Sequence, residues 1–220
     1  MRLIAGVAQH LTGRHAEAVA SAARCLTAGR DRRDPAVHLW SLLVLIEATL
    51  DADPAGPADP AVPEWVREAS RLLPDASRID AARFHAVVAR LELAAGRRSE
   101  AQQAAGTADR LIGAGPALVQ YGLQAHAGVA EVYQTLLESA GDPGEAAALR
   151  VAEAAALRRL RRYARVYPMA RPRAGIVFGR HLALRGRTGA ARRAWAAAGR
   201  DAERLRMPVE AARAARLLRS

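Results

Sequence analysis

The chain has 220 residues; 51% are hydrophobic but only 4% aromatic, so its apolar material is mostly small and aliphatic. It carries 33 basic against 22 acidic residues, a net charge of +11, and every basic residue is Arg. The absence of Lys excludes P-loop, Schiff-base and kinase-type lysine chemistry. Cys25 is the single cysteine, so an intrachain disulfide is excluded as well, which suits a reducing cytoplasm.

Ala is the best helix former and the β-branched and aromatic residues are sparse, which predicts an all-α fold. In chain order, helices are expected near 2–12, 15–28, 35–50, 63–73, 78–95, 98–113, 117–139, 144–166, 171–185, 188–205 and 208–218. The apolar stretch from Leu3 to Ala8 is too short for a secretory signal. In the second helix Ala18, Ala22 and Cys25 share one face, which makes Cys25 a small core residue. Asp34-Pro35 opens the third with a capping Asp and an initial Pro. Its hydrophobic run, Leu39 to Ile46, falls short of the roughly 20 residues that span a bilayer. The chain therefore reads as soluble and cytoplasmic, with no membrane partner.

Pro54, Pro57, Pro60 and Pro63 then fall every third residue, the period of an extended polyproline-type linker. The helix restarts at Pro63-Glu64-Trp65. Ser77 with Asp80 resembles a capping box, and Asp142-Pro143 repeats the Asp-Pro start. Ala101, Ala104, Ala105, Ala108, Leu111 and Ile112 form one helix face; Ala191, Trp195, Ala198, Ala202 and Leu205 form another.

One pattern recurs: Gly, three variable residues, an acidic or small residue, then Ala. It runs from Gly13 to Ala18, Gly96 to Ala101, Gly141 to Ala146 and Gly186 to Ala191. Gly ends one helix by adopting a left-handed conformation cheaply, the acidic residue sits in the next first turn, and Ala begins the buried face. The expected fold is a right-handed solenoid of about five antiparallel helix pairs plus a terminal helix, a single domain over 1–220. Its repeats would span 1–30, 35–74, 77–114, 116–167 and 170–206, with the terminal helix at 207–219.

These residues resemble the tetratricopeptide repeat family, which places Gly five residues before a buried Ala. The family also favours a small residue seven before that Gly; Gly6, Ala89 and Gly179 match, and Gln134 departs. A narrower resemblance covers roughly 155–218. Leu157-Arg-Arg-Leu160-Arg-Arg-Tyr163-Ala164-Arg165-Val166-Tyr167-Pro168 is followed by Arg171-Pro172-Arg173-Ala174, Gly179, Gly186, Trp195 and Leu205-Arg-Met207-Pro208. This order is similar to the C-terminal repeat tails of large bacterial signalling ATPases: ATP-binding transcription regulators and cyclase-linked ATPases. The resemblance implies a segment that senses or docks a partner.

No pair among His10, His15, His38, His85, His126 and His181 has zinc-type spacing beside Cys or a carboxylate, and Gly186 to Gly189 lacks the ending of a phosphate loop. The expectation is a non-enzyme without catalytic, cofactor-binding or metal-ligating residues. Counting thirteen and six residues back from each repeat Gly places Arg83 and Arg90, and Arg173 and Arg180, on a shared inner face. They would either form a groove for an acidic peptide or build a charge ladder with Glu131 and Glu138. Seven arginines between Arg158 and Arg173, with Arg158 and Arg162 among them, would be a solvated helix face or an anionic docking site.

The expected function is a protein–protein interaction or regulatory module that holds a peptide or partner domain. The alternative is binding of nucleic acid or another polyanion through the arginine surface. At the N-terminal end, Leu3, Ile4, Val7 and Leu11 are expected to form a sticky face that pairs with a second copy or docks onto an upstream domain.

Overall fold

The structure, a computed structural model, describes residues 2–52, 59–115 and 119–219, apart from the side chains of residues 2–4 and 120. Among these residues there is no strand. The helices are α1 (Arg2–Leu11), α2 (His15–Asp31), α3 (Pro35–Ala52), α4 (Val62–Arg71), α5 (Arg78–Ala94), α6 (Arg98–Gly113), α7 (Leu123–Glu138), α8 (Pro143–Val166), α9 (Arg171–Leu184), α10 (Thr188–Arg204) and α11 (Pro208–Arg219). The all-α expectation holds, and neighbouring helices pack in pairs. Contacts gather them into two compact units, Met1–Ala117 and Leu118–Ser220.

Helix starts follow local chemistry. The Asp34 carboxylate accepts from the amides of Ala36 and Val37, Ser77 Oγ from Asp80, and Asp142 from Glu145. The turns after α1, α5 and α9 share one device. Gly13, Gly96 and Gly186 take φ of 80°, 76° and 70°, and the amides of the Gly and of the residue after it bond back to the helix end. After α9, for example, Gly186 N–H reaches Ala183 O and Arg187 N–H reaches Leu182 O. Gly141 is the exception: it is not left-handed, and the Asp142 cap with Pro143 in the first turn carries that junction. The Gly141-to-Ala146 copy therefore matches the others in sequence but not in turn geometry. Two further differences are local. α7 starts at Leu123, after a 3-10 turn over Gln120–Gly122, because that turn takes up residues expected to be helical. Pro54 and Pro57 lie outside the described residues; Pro60 stands in a turn and Pro63 in the first turn of α4.

In the first unit α3 is the central helix, packed against α1, α2, α4 and α5. Leu42, Leu43 and Ile46 are completely buried, each worth roughly 1.5–3 kcal/mol of apolar transfer. By length and composition α3 is apolar enough to cross a membrane, and most of it is buried inside this unit. Its all-round hydrophobicity is that of a helix surrounded by others. Cys25 is buried as expected. Val7 packs against this core and Leu11 is half-buried; Leu3 and Ile4 fall where side chains are not described.

In the second unit α9 packs on α7, α8, α10 and α11. Trp195 and Leu182 form one apolar cluster there, and Ile176, Ala198 and Ala214 another.

Candidate functional site

Four of the predicted arginines lie on the first helices of their pairs. Glu47 and Asp51 are one turn apart on α3; Arg83 and Arg90 are two turns apart on α5, so each set shares a face. Arg83 donates to Glu47 through Nη2 at 2.8 Å and Nε at 3.3 Å. Arg90 Nη2 lies 2.5 Å from Asp51, whose second oxygen is 2.8 Å from His10 Nε2. Asp51 thus ties α1 and α5 to α3.

The second unit repeats the arrangement. Arg173 grips Glu131 on α7 through Nε and Nη2, and its Nη1 donates to Glu210 on α11 at 2.9 Å. Arg180 donates to Glu138 at 2.8 Å. Of the ladder expected for Glu131 and Glu138, the half with Arg173 and Arg180 is present and the half with Arg83 and Arg90 is not. Arg83 and Arg90 have carboxylate partners from their own unit, which the sequence reading did not assign.

This arrangement decides what the four arginines can do. The side chains of Arg83 and Arg173 are 2% and 5% exposed and committed to carboxylates, the buried Glu47 and Glu210 and the partly buried Glu131. Neither can meet a partner. Arg90 and Arg180 are more open, and their carboxylates already occupy them. A buried pair of this kind holds the register of two helices; desolvation offsets much of its Coulomb energy.

Gln134, where the repeat pattern expects a small residue, is completely buried. Its amide donates to Glu153 at 2.9 Å and to Val177 O at 2.8 Å, and the other Glu153 oxygen lies 2.7 Å from His181 Nδ1. A hydrogen-bonded polar cluster replaces the close helix contact there. In the first unit Glu68 gathers Arg30 and His38, and the hydrogen bond from Arg30 is the main cause holding its carboxyl below the usual range. Among the described residues no three His, Cys, Asp or Glu side chains group to hold a metal ion.

The arginines of α8 are placed differently. Leu157, Leu160 and Ala164 face the core, while Arg158, Arg161, Arg162 and Arg165 are exposed at spacings of three and four. None of the four is in an ion pair. Between α8 and α9 lies a recess of about 420 Å³. Arg161, Arg165 and Arg171 surround it; buried Ala164 and Ala174 form its floor beside Gly175 and half-buried Phe178. The Arg161 guanidinium lies over the Phe178 ring, 4.4 Å from its centroid. Among the described residues no carboxylate lines the recess. Arg158 and Arg162, singled out from the sequence, stand on the same helix outside its lining. Arg161, Arg165 and Arg171 are the more telling residues; the sequence shows them only as members of the run.

A second groove, about 510 Å³, runs along α4 and α5 over Val62, Val66, Val88 and Leu91. Of its charged lining residues, Glu92 is paired with Arg97, and Asp59 accepts from the Ala61 amide.

His126 on α7 is buried and stacked on Tyr163, ring centroids 4.7 Å apart, and neither ring nitrogen has a hydrogen-bond partner. Burial, with a smaller contribution from nearby Arg159, pushes its pKa down to about 4. It is a neutral core ring.

No family model, curated protein or solved structure matches this chain.

Proposed function

We propose that the chain is a tetratricopeptide-type interaction module, without catalytic activity of its own, that docks another protein. Its helix pairs stack in the right-handed sense of that family. Its setting is a signalling or transcription-regulating system of the kind served by the repeat tails that residues 155–218 resemble.

One observation carries the reading. The arginines on the first helices are consumed internally, whereas Arg158, Arg161, Arg162 and Arg165 on α8 have no carboxylate partner. A surface of unpaired guanidinium groups suits carboxylate or phosphate, because the planar fork of Arg matches either bidentately. Proteins of this architecture present rigid helix faces to their partners.

The test compares two polyanions at graded salt: polyglutamate and a duplex DNA of mixed sequence. Protein docking predicts that polyglutamate binds more tightly at physiological ionic strength. The DNA complex should weaken steeply as counterions return to the phosphates. Tighter binding of DNA at that salt concentration would replace the reading with nucleic-acid binding.

A further inference from the structure

The recess between α8 and α9 has three properties together: a ring of arginines, an apolar floor and, among the described residues, no acidic side chain. Several other arginines of the chain are paired with carboxylates, as at Arg30, Arg67, Arg90, Arg97, Arg180 and Arg204. Arg161, Arg165 and Arg171 are all exposed and none is in an ion pair. We infer that this recess is the docking point for an acidic peptide segment of a partner protein, one that carries an aliphatic side chain flanked by carboxylates.

Each part of the occupant answers something in the recess. Ala164 and Ala174 are 7% and 5% exposed and leave a shallow apolar floor; an aliphatic side chain seated there would lose water from both surfaces. A recess of about 420 Å³ is near the lower end of ligand-pocket sizes, enough for one or two side chains. Arg161 and Arg165 lie one helical turn apart on α8, and Arg171 opens α9 across from them. Carboxylates on either side of the anchor would meet guanidinium groups from both helices. Arg161 is held over Phe178, so less of its freedom is lost on binding.

Nucleic acid fits less well. The Arg161 guanidinium already occupies one face of the Phe178 ring, a place where a base would stack. The lining has no Ser, Thr, Asn or Gln to read a base edge or a sugar. Pro172, in the first turn of α9, removes one of the amides that make a helix start an anion site.

This inference rests on the protein-docking reading, and the test separates the two. The probe is a fluorescein-labelled dodecapeptide of glutamates with two central leucines, titrated with the full chain by anisotropy. A second peptide has both leucines replaced by serine. Arg161→Gln, Arg165→Gln and Arg171→Gln are combined in one variant. Arg192→Gln, Arg193→Gln and Arg200→Gln, exposed on α10, are combined in a control that removes equal charge. Circular dichroism melts check that both variants remain folded.

The recess variant should weaken the leucine peptide by about tenfold or more, because charge-assisted bonds are the strong ones. The control should weaken it less than about threefold, as expected for charges acting at a distance. The serine peptide should bind the wild type several-fold more weakly than the leucine peptide. Equal losses in the two variants, or equal binding of the two peptides, would overturn the recess as the docking point while leaving protein docking in place. Failure of both peptides to bind, with a labelled single-stranded oligonucleotide bound tightly, would overturn the docking reading itself.

Discussion

The indole of Trp195 lies directly on Gly179, so close that a Cβ added there would sit inside the ring's contact distance, and its Nε1–H donates to Ile176 O at 3.2 Å. Both groups are buried between α9 and α10. Gly179→Ala should therefore cost about 1–3 kcal/mol by overpacking. Trp195→Leu in the same chain should recover part of that loss. Gly96→Ala is the comparison: space there is open, and only its φ of 76° opposes a side chain, for roughly 1 kcal/mol. Urea denaturation of the three variants ranks the costs; a Gly179→Ala chain as stable as wild type would show that the indole has room to move.

Glu47 and Arg83 should behave as a buried unit. Glu47→Ala leaves a guanidinium without its carboxylate in the interior and should destabilise by about 3–5 kcal/mol. Glu47→Leu with Arg83→Met removes both charges and should cost much less than the two single changes added together. Strict additivity in that cycle, measured by denaturant unfolding, would contradict the pairing.

Arg180 and Glu138 give the contrasting case. Their side chains are 26% and 42% exposed, so Arg180→Gln should cost no more than about 1 kcal/mol. Melting at low and high salt checks this, since the wild-type advantage should shrink as salt rises.

His126 supplies a pH dependence with a definite sign. Its folded-state pKa of about 4 lies below the ordinary value of 6.5. Between these two values the unfolded chain binds a proton that the folded chain refuses, so stability falls as pH drops through that interval. The full effect is about 3 kcal/mol. It is absent above the unfolded value and complete below the folded one. His126→Phe should keep the stacking on Tyr163 and flatten the slope between pH 6.5 and 4. An unchanged slope in that variant would assign the pH dependence to other groups.

What could be read from the residues divides by sequence distance. Caps at Asp34, Ser77 and Asp142 and the left-handed turns at Gly13, Gly96 and Gly186 are settled within five residues, and they were legible. Arg173 with Glu131 and Arg180 with Glu138 were also legible, because the two arginines and the two carboxylates are each seven residues apart and so share one helix face. The matching pairs of the first unit are 36 and 39 apart, and the proline-rich stretch that breaks the period there hid Glu47 and Asp51 as partners. Two carboxylates inside the most apolar helix were the available signal. The recess between α8 and α9 depends on how two helices meet, and no spacing within either helix specifies it.

The position of Arg173 bears on how the second unit comes apart. Terminal helices of a repeat array ordinarily fray first, because each touches neighbours on one side alone. Here peeling α11 away would leave Arg173 with only part of its carboxylate shell, since Glu210 departs with that helix. The same guanidinium is fastened to α7 through Glu131. Opening at the C-terminal end is thereby charged to a residue in the middle of the unit. Amide protons of α11 should exchange in the slow, shared manner of α9, and α7, α9 and α11 should melt as one cooperative block.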